Sequence, residues 1–436
     1  MKKTLALILA LIMMLSLAAC GGDGSKEPDN SGNTPSTPTD TPSTPTDTPS
    51  TSDGEKTEVQ DVTLKIWTAS EELELMKKMG ESFAAAHPEY NLTFDISEMG
   101  IDEANANLKT DADSAADIFQ LASGGVPELT QKGLLLPIGY ELDSLRELYP
   151  AGAISAVTAE DGLVYAVPFT PNTFFMYYNK SMFTEDEVKS VETMMAKDLG
   201  EGVYNFSFQV SGPWYIESFF YAAGCTLFGA DGKDASSMDW NNANGFAAGQ
   251  YMIDLVNNPK YLENKDGIAM NMLREGKLAA HVDGTWNAGP VQEALGENYA
   301  AAPLPTININ GQDSQLRNFA DYKTYAIKSS TAYPLAAQQF AEWICNEENQ
   351  LARYEDQGVP PCISSLADQL SDDIALAALL AQSEYAVAQP NIPQINEYWT
   401  PATALGEGIY NKEITEDNLQ EKLDQLVDAV TSTLVS

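Results

Sequence analysis

Residues 61–97, DVTLKIWTASEELELMKKMGESFAAAHPEYNLTFDIS, predict a strand, a helix and a second strand in succession. At both ends of this stretch apolar side chains alternate with polar ones, which is the two-residue period of a strand. Ser70 starts the helix between them, because serine is a good N-cap and the acidic residues after it suit the positive end of the helix dipole. Pro88 ends this helix. A β-α-β beginning predicts an α/β fold, with helices on the faces of a parallel or mixed sheet.

The same periodicities continue along the chain, which at 436 residues is long enough for two or three domains. Residues 117–121 predict a third strand. Residues 163–169 and 174–178 predict two more, joined by the segment TPNT at 170–173. The chain ends on an amphipathic helix, whose apolar residues recur at i, i+4, i+7 and i+11. They are Leu419, Leu423, Leu426 and Val430.

The N-terminus has the pattern of a secretory signal peptide. A positive start, MKK, precedes an apolar run over residues 5–17, which is too short for a comfortable membrane span. The run ends in LAAC at residues 17–20, followed by two glycines, and this string resembles the bacterial lipobox. It favours a lipoprotein signal peptide over residues 1–19 and lipidation of Cys20, rather than ordinary cleavage with an incidental cysteine.

Residues 20–60 predict a disordered tether. The unit TPSTPTD occurs twice within residues 34–47, and a segment of this composition favours an extended, solvated chain without a core. After a lipidated cysteine, such a segment is a spacer that holds a globular part off the membrane. The globular part is therefore expected to begin near residue 61.

The charge of the chain excludes one class of partner. The formal net charge is −39, and removal of residues 1–19 takes away two lysines and no acidic residue, which makes the mature chain −41. Nucleic-acid binding is excluded because contacts to phosphates need lysine and arginine. An acidic surface keeps a secreted protein soluble, but by itself it identifies no partner.

The cysteines and histidines argue against a metal centre. Beyond the lipobox the cysteines are Cys225, Cys345 and Cys362, and their odd number excludes a fully paired set. Apolar neighbours favour buried free thiols, although a Cys345–Cys362 disulfide stays open. The two histidines, His87 and His281, lie far apart in the sequence and predict no multi-histidine metal site. Neither a metal nor a cofactor is expected.

Short strings spread in order along the chain indicate a family. They are LKIW at 64–67, ADIF at 116–119 with GLL at 133–135, YAVP at 165–168 with YNK at 178–180, DGTW at 283–286, and PNIPQ at 390–394 with Trp399. From about residue 62 to the C-terminus, their order and spacing resemble the oligosaccharide-binding proteins of bacterial carbohydrate ABC importers. The similarity is greatest to the maltose/maltodextrin-binding group.

This resemblance implies a periplasmic-binding-protein fold, in which two α/β lobes joined by a hinge close over a ligand in the interlobe cleft. By residue matching, the first lobe holds residues 61–170 and 325–367, and the second holds residues 171–324 and 374–436. The family delivers its loaded ligand to an ABC permease. The chain is therefore expected to be a monomer, anchored by its lipid to the outer face of the cytoplasmic membrane.

Aromatic residues are the first candidates for a sugar site, because their rings stack on the C–H face of a sugar. By the resemblance, Trp214, Tyr215, Trp286 and Trp399 match stacking positions, with packing in the core or a loop as the alternative for each. Trp67 ends the first predicted strand, at the carboxyl edge where α/β folds bind ligands. It either lines the cleft or packs beneath it.

Polar residues are the candidates for contacts to the sugar hydroxyls. Glu71 matches a ligand position of the family, although interaction with a helix dipole explains it almost as well. Asn172 lies in the interlobe crossing, where the maltodextrin group has a carboxylate. Asp283, Asp321 and Lys323 are further candidates, with an ion pair or a hinge contact as the alternative.

One segment departs from the maltodextrin pattern. After the strand at 117–121, that group places an aromatic residue and an Asp-Arg pair, whereas this chain has Leu121, Ser123, Gly124 and Gly125. The first lobe is thus expected to lack a stacking platform and a charged clamp. A different linkage, a longer glycan or weaker binding at one end would each fit this departure.

The residues argue for binding rather than catalysis. The sequence contains no G-x-S-x-G elbow, no H-E-x-x-H and no Walker A loop, and nothing marks a glycosidase carboxylate pair. The prediction is therefore a binding protein, not an enzyme, for an oligosaccharide such as a malto-oligosaccharide from starch. A surface-anchored glycan-adhesion module, an importer protein for another oligosaccharide and a peptide binder are the alternatives.

Overall fold

The structure is a computed structural model that describes residues 59–432. The predicted signal peptide, the lipidated Cys20 and the tether up to residue 58 lie outside the described residues. Thirteen strands lie within the described range: β1 (Gln60–Thr68), β2 (Tyr90–Glu98), β3 (Ile118–Ala122), β4 (Ala166–Asn172), β5 (Phe174–Asn179), β6 (Tyr204–Phe208), β7 (Tyr261–Glu263), β8 (Leu278–Gly284), β9 (Tyr299–Ala302), β10 (Thr306–Ile309), β11 (Gln312–Gln315), β12 (Phe319–Ile327) and β13 (Val387–Ala388).

Helices surround these strands. In chain order they are α1 (Leu73–Ala86), α2 (Ile101–Thr110), α3 (Val126–Gln131), α4 (Leu142–Leu148), α5 (Ala151–Ala156), α6 (Val191–Ala196), α7 (Pro213–Ala222), α8 (Ala243–Asn257), α9 (Ile268–Arg274), α10 (Ala288–Leu295), α11 (Pro334–Cys345), α12 (Glu347–Gln357), α13 (Ser364–Gln369), α14 (Ile374–Ser383), α15 (Ile395–Tyr410) and α16 (Glu416–Thr431). The α/β class predicted from the sequence is confirmed.

The strands form two main sheets. In the first, the order is β2-β1-β3-β12, with β4 paired to the other side of β12 and β13 beside its start. In the second, the order is β7-β6-β8-β5-β9. Both sheets are mixed: β1 is parallel to β2 and β3, and β6 is parallel to β7 and β8, whereas β12 and β5 run antiparallel to their neighbours β3 and β8.

The β-α-β beginning forms as predicted, with one difference at the helix start. Residues 70–72 form a 3-10 turn and α1 follows from Leu73. Ser70 does not cap it, because its hydroxyl donates to the Glu71 carboxylate at 3.1 Å instead of accepting from a backbone N–H. The helix buries Met76, Met79 and Phe83, and it ends at Ala86, just before Pro88.

Buried side chains fall into separate cores. The first core takes its residues from 62–169 and 325–366. The second takes them from 174–319 and 392–430, and at its centre the rings of Phe220 and Trp240 stack 3.9 Å apart. A smaller third cluster covers the other face of the second sheet with α9, α10 and α14. The final helix, α16, buries the four apolar residues that the sequence analysis assigned to its core face.

The segment at 170–173 differs from its prediction. It was expected to join two strands, but β4 continues through Asn172 and Thr173 alone separates it from β5. The reason is that β4 pairs with β12, and the paired residues extend from Asp321↔Asn172 to Ala326↔Ala166. Proline at 171 is tolerated because β4 is an edge strand of the sheet. The chain thus passes from the first sheet to the second within one residue.

Hydrogen bonds tie this crossing to the start of β12. The Asn318 amide donates to the backbone oxygen of Phe174 at 2.7 Å and to the Thr173 hydroxyl, which in turn donates to the backbone oxygen of Phe319 at 2.7 Å. Gln382, from α14, donates to the Asn318 side-chain oxygen at 2.8 Å. We call Thr173, Asn318 and Gln382 the hinge network. Every helix in the part of the chain that the structure describes is too short or too polar to cross a membrane.

Candidate functional site

A cavity of about 610 Å³ opens where elements of the two sheets face each other. We call it the cleft. Its walls come from α2, from the loop after β3, from the crossing strands β4 and β12, and from the second-sheet side through α7, the turn after β8 and the start of α15. The lining residues are Ile101, Asp102, Asn105, Ala122, Gly124, Gly125, Asn172, Trp214, Trp286, Asp321, Lys323, Gln389, Asn396 and Trp399.

Two tryptophans form one wall of the cleft. Trp214 lies in the first turn of α7, where Pro213 occupies the first helical position, and Trp399 lies on α15. Their rings are stacked, with centroids 6.1 Å apart and planes 29° apart. Phe319, at the start of β12, packs behind both, with centroid distances of 5.7 Å to Trp214 and 6.4 Å to Trp399. The wall is therefore a continuous aromatic surface held from behind by the strand that enters the first sheet.

Trp286 lies in the 3-10 turn that follows β8. Its six-membered ring lies over Gly284, and a Cβ at position 284 would overlap three carbons of the indole. Glycine at 284 is thus needed for this ring position. The Lys323 Nζ lies 5.7 Å from the centroid of the Trp286 ring, within the range of a cation–π contact. Trp286 and Lys323, from opposite sides of the crossing, meet in the cleft.

Asp321 is buried beneath the cleft and is held by its neighbours. The Asn172 side-chain amide donates to Asp321 Oδ2 at 2.6 Å, the Gly124 N–H donates to Oδ1 at 3.2 Å, and the Ser123 hydroxyl also donates to Oδ1. Burial raises the pKa of the Asp321 carboxyl, while these hydrogen bonds act in the opposite direction. Asp321 therefore links the loop after β3 to the crossing strand.

Lys323 brings a positive charge to the same region. Burial lowers the pKa of Lys323, and the nearby carboxylates of Glu72, Glu71 and Asp321 act against that shift. A partly desolvated ammonium group is a strong hydrogen-bond donor to any hydroxyl or carboxylate that enters the cleft.

Six of the ten candidate residues from the sequence line the cleft together: Asn172, Trp214, Trp286, Asp321, Lys323 and Trp399. The structure does not bring the other four to this lining. Trp67 is 6% exposed and packs in the first core, the arrangement given above as the alternative to cleft lining. Glu71 is exposed in the 3-10 turn after β1, where its backbone oxygen accepts from Gln357 at 3.0 Å.

Tyr215 and Asp283 lie instead along a second cavity. Tyr215 is 8% exposed, and its ring packs 4.7 Å from that of Phe174 in the second core. Successive helix residues point about 100° apart, so Trp214 facing the cleft turns Tyr215 inward. Asp283 is 4% exposed and accepts hydrogen bonds from Gly284 N–H at 2.7 Å and Asn287 at 2.8 Å, with His281 Nε2 at 3.1 Å.

Four polar residues of the lining were not predicted from the sequence: Asp102, Asn105, Gln389 and Asn396. Asp102 and Asn105 look like the solvent face of an ordinary helix. Gln389 directly precedes the PNIPQ string. Its position in the cleft is also reflected in Gly124, because a Cβ at position 124 would overlap the Gln389 amide. A glycine forced by close approach of another segment is a signal that needs the tertiary structure to interpret.

Three buried polar atoms of lining residues have no hydrogen-bond partner among the described residues. They are Asn105 Oδ1, Trp214 Nε1 and Gln389 Oε1. Buried polar groups are almost always satisfied, so unpaired ones around a cavity indicate a polar ligand or water. The cleft thus combines exposed aromatic faces with unpaired donors and acceptors.

The loop after β3 agrees with the departure described from the sequence. Leu121 is fully buried, and a Cβ at Gly125 would lie 2.7 Å from its Cδ1. Residues 122–125 therefore present backbone and small side chains to the cleft, with neither an aromatic ring nor a charged side chain. Within the part of the chain that the structure describes, the aromatic rings that line the cleft are those of Trp214, Trp286 and Trp399.

The chain is similar in sequence to known proteins. Residues 78–382 match the family model described as bacterial extracellular solute-binding protein. A galactooligosaccharide-binding protein of Bacillus subtilis (strain 168) is 26% identical over 417 residues, which are 92% of this chain and 90% of that protein. A maltodextrin-binding protein of the same organism is 28% identical over 423 residues, covering 93% and 92% of the two chains.

Solved structures of such proteins have a similar fold. A maltodextrin-binding protein from L. casei BL23 without ligand superposes with a TM-score of 0.75 at 27% identity, over 85% of this chain and 99% of that one. The arrangement is thus that of the two-lobe maltodextrin-binding proteins.

Proposed function

The chain belongs to the bacterial extracellular solute-binding proteins, and from this premise we propose that it binds a malto-oligosaccharide in the cleft and delivers it to an ABC permease. We assign residues 61–170 and 325–367 to the first lobe and residues 171–324 and 374–436 to the second. Residues 171–172 and 321–324 form the boundary between them, because there β4 and β12 pair in the first sheet. The lobes close over the ligand by bending at the hinge network. The relatives named for maltodextrin support this ligand class.

The observation that carries the proposal is the convergence of Trp214, Trp286 and Trp399 on one cavity. Each of them comes from a separate element, and each offers a flat apolar ring. Successive pyranose rings of an oligosaccharide stack on such surfaces, while their hydroxyls pair with the unsatisfied atoms of Asn105, Trp214 and Gln389. A purely apolar ligand would leave those polar atoms unpaired, at a cost of about 1–3 kcal/mol each.

The carboxylates of the cleft favour binding over hydrolysis. Among the described lining residues they are Asp102, which is exposed, and Asp321, which is buried and hydrogen-bonded to Asn172, Gly124 and Ser123. A glycosidase needs two carboxyl groups free to flank the scissile bond. With Asp321 committed to the crossing, the cleft does not supply such a pair, and no catalysis is proposed.

The anchor belongs to the same proposal. The N-terminal pattern supports lipidation of Cys20. The tether would run from residue 20 to the start of β1 at Gln60 and hold a monomer on the outer face of the cytoplasmic membrane. Relatives in Streptococcus pneumoniae are themselves described as solute-binding lipoproteins. Labelling cells with a fatty-acid analogue tests this directly, and an unlabelled wild-type protein would contradict it.

A galacto-oligosaccharide is the second candidate ligand. A galactooligosaccharide-binding relative is nearly as similar to this chain as the maltodextrin-binding one, and the loop at 122–125 lacks the side chains of the maltodextrin clamp. Both candidates are neutral pyranose chains, so the aromatic wall alone does not separate them.

Calorimetric titration of the purified protein decides between these ligands. Malto-oligosaccharides of two to seven units are compared with galacto-, isomalto- and xylo-oligosaccharides of equal length. We expect micromolar or tighter binding of the malto series and at least about tenfold weaker binding of the others, a difference of roughly 1.4 kcal/mol. Preference for the galacto series would transfer the assignment, and absence of heat with every sugar at millimolar concentration would refute the sugar proposal.

A further inference from the structure

Trp286 lines two cavities. Besides the cleft, it borders a cavity of about 480 Å³ in the second sheet, whose lining includes Gln209, Tyr215, Met270, Arg274, His281 and Asp283. Cavities of roughly 300–1,000 Å³ are the usual size of small-molecule sites. We call this one the rear cavity, because it lies beyond Trp286 for a ligand in the cleft.

A polar pair is built into its wall. His281 and Asp283 follow each other on the same face of β8, with His281 Nε2 3.1 Å from Asp283 Oδ2. Burial acts to raise the pKa of Asp283, but its contacts with His281, Gly284 and Asn287 outweigh burial, and the pKa lies below its ordinary value. Asp283 is therefore ionised at neutral pH and accepts from His281 Nε2–H.

This arrangement leaves one ring nitrogen unused. Nε2 is paired with Asp283, so Nδ1 is the remaining hydrogen-bonding group of the imidazole. His281 is 1% exposed, and its Nδ1 has no hydrogen-bond partner among the described residues. A buried nitrogen without a partner calls for a hydrogen-bonding group from outside the protein, such as a ligand hydroxyl or a water molecule, each of which can both donate and accept. Asp283, which the sequence suggested as a ligand contact, acts here by orienting His281.

We propose that the rear cavity is an additional carbohydrate subsite, which receives a neutral hexose unit of an oligosaccharide that extends past Trp286. This proposal rests on the proposed function and specifies the length of its ligand. Tyr215 and Trp286 give the aromatic surfaces, while Gln209 and His281 give polar groups on which the unit's hydroxyls are held.

A charged unit fits this cavity less well. Its lining contains one cationic side chain, Arg274, and two acidic ones, Asp266 and Asp283, so that neither an anionic nor a cationic group finds a uniform field. Amide and imidazole groups beside aromatic rings match the mixed donors and acceptors of a neutral sugar. The cavity is therefore assigned to a hexose rather than to a uronic acid or an amino sugar.

The test fills the rear cavity and follows affinity against ligand length. Met270, on α9, is replaced by tryptophan, and Ile268→Trp on the same helix is the matched control, because Ile268 is exposed and does not line the cavity. Calorimetry measures Kd for malto- and galacto-oligosaccharides of two to seven units. In the wild type and in Ile268→Trp we expect Kd to fall as the ligand becomes long enough to pass Trp286.

In Met270→Trp, we expect the ratio of long-ligand to short-ligand affinity to drop by roughly tenfold, the loss of one stacked and hydrogen-bonded unit. Gln209→Ala, which removes a polar group instead of adding bulk, should lower the same ratio severalfold and covers the case in which Met270→Trp fails to fold. A length profile identical to wild type in a folded Met270→Trp or in Gln209→Ala overturns the subsite alone. Absence of binding at every length in the wild type overturns the proposed function, and the subsite with it.

Discussion

At the scale of single residues, the cleft depends on where three indole rings are placed. Trp214 follows a proline that starts its helix, Trp399 lies on α15 against Phe319, and Trp286 lies over a glycine whose missing side chain makes room for the ring. Each position is set by a neighbouring residue, which is a proline for Trp214, a packed aromatic ring for Trp399 and a glycine for Trp286. The neighbours of these residues therefore determine the shape of the cleft together with the rings.

Replacing Trp286 by alanine should weaken sugar binding without unfolding the protein. The ring is half-buried and contacts Lys323 across the cleft, so its loss removes stacking and a cation–π contact worth about 1–3 kcal/mol, or roughly five- to 150-fold in Kd. Titration calorimetry gives the change. Trp343→Ala is the control, since Trp343 is also half-buried but packs against Phe83 away from the cleft. Equal effects of the two changes on affinity would contradict the role of Trp286.

At the scale of elements, β12 connects the two halves of the site. It begins beside the second core, where Phe319 backs Trp214 and Trp399, and it continues through Asp321 and Lys323 into the first sheet. Its register with β4 shifts between Lys323 and Thr324. One strand thus carries the support of the aromatic wall, the buried carboxylate and the cationic residue of the cleft.

Because Asn318 is at the centre of the hinge network, we expect removal of its side-chain amide to lower the stability of the protein strongly. In Asn318→Ala, the Phe174 carbonyl, the Thr173 hydroxyl and the Gln382 amide lose a partner, and we expect the free energy of unfolding to fall by about 2–4 kcal/mol. Urea denaturation measures it. Asn308→Ala, at an exposed asparagine that donates to Asp313, should change stability by less than about 0.5 kcal/mol. A loss in Asn318→Ala no greater than in this control would show that the network does not stabilise the hinge.

The sequence predicted most elements because their periodicity is local. The alternation at 62–66 and the spacing of Leu419 to Val430 each correspond to one buried face, and both elements form where expected. The segment at 170–172 was missed because its partner, β12, lies some 150 residues later in the chain. Ser70 was predicted to be the N-cap from its residue type, but its hydroxyl donates a hydrogen bond to the Glu71 carboxylate instead.

The family resemblance selected Trp214 and Trp286, and both lie where the local backbone turns a large side chain toward the cleft. Trp214 after Gly212-Pro213 and Trp286 after Gly284 both follow helix-start or turn signals, whereas Tyr215 differs from Trp214 only by the rotation of one helical residue. Asn105 and Gln389 carry no local mark, since polar residues are common on helices and loops. They become lining residues only because distant segments bring them to one cavity.

At the scale of the whole molecule, acidity is the dominant property. The net charge is −39, and several carboxyl groups are buried within this negative body. Burial holds the pKa of Glu217 well above its ordinary value, and burial together with Glu141 raises the pKa of Glu342 to about 8. These acids are protonated in the folded protein at a pH where the unfolded chain has already released the proton.

This arrangement predicts that stability falls as pH rises. A carboxyl whose folded pKa is raised contributes fully below its ordinary pKa, and the contribution is lost as pH rises through the folded pKa, so for Glu342 the loss runs from about 4.5 to about 8. The melting temperature should therefore drop between about pH 5 and pH 8 at constant ionic strength. Glu342→Gln should melt higher than wild type at the upper pH and nearly equal to it at the lower. A melting difference that does not grow with pH would exclude Glu342 as a source of this dependence.

The aromatic wall also gives the protein a built-in optical readout. Three of its six tryptophans border the cleft, and the Trp214 indole N–H has no partner among residues 59–432. If a sugar stacks on these rings as proposed, it changes the polarity around half of the molecule's dominant fluorophores. We therefore expect ligand binding to change the emission spectrum of the unlabelled protein, which would make it a reagentless sensor for its own ligand.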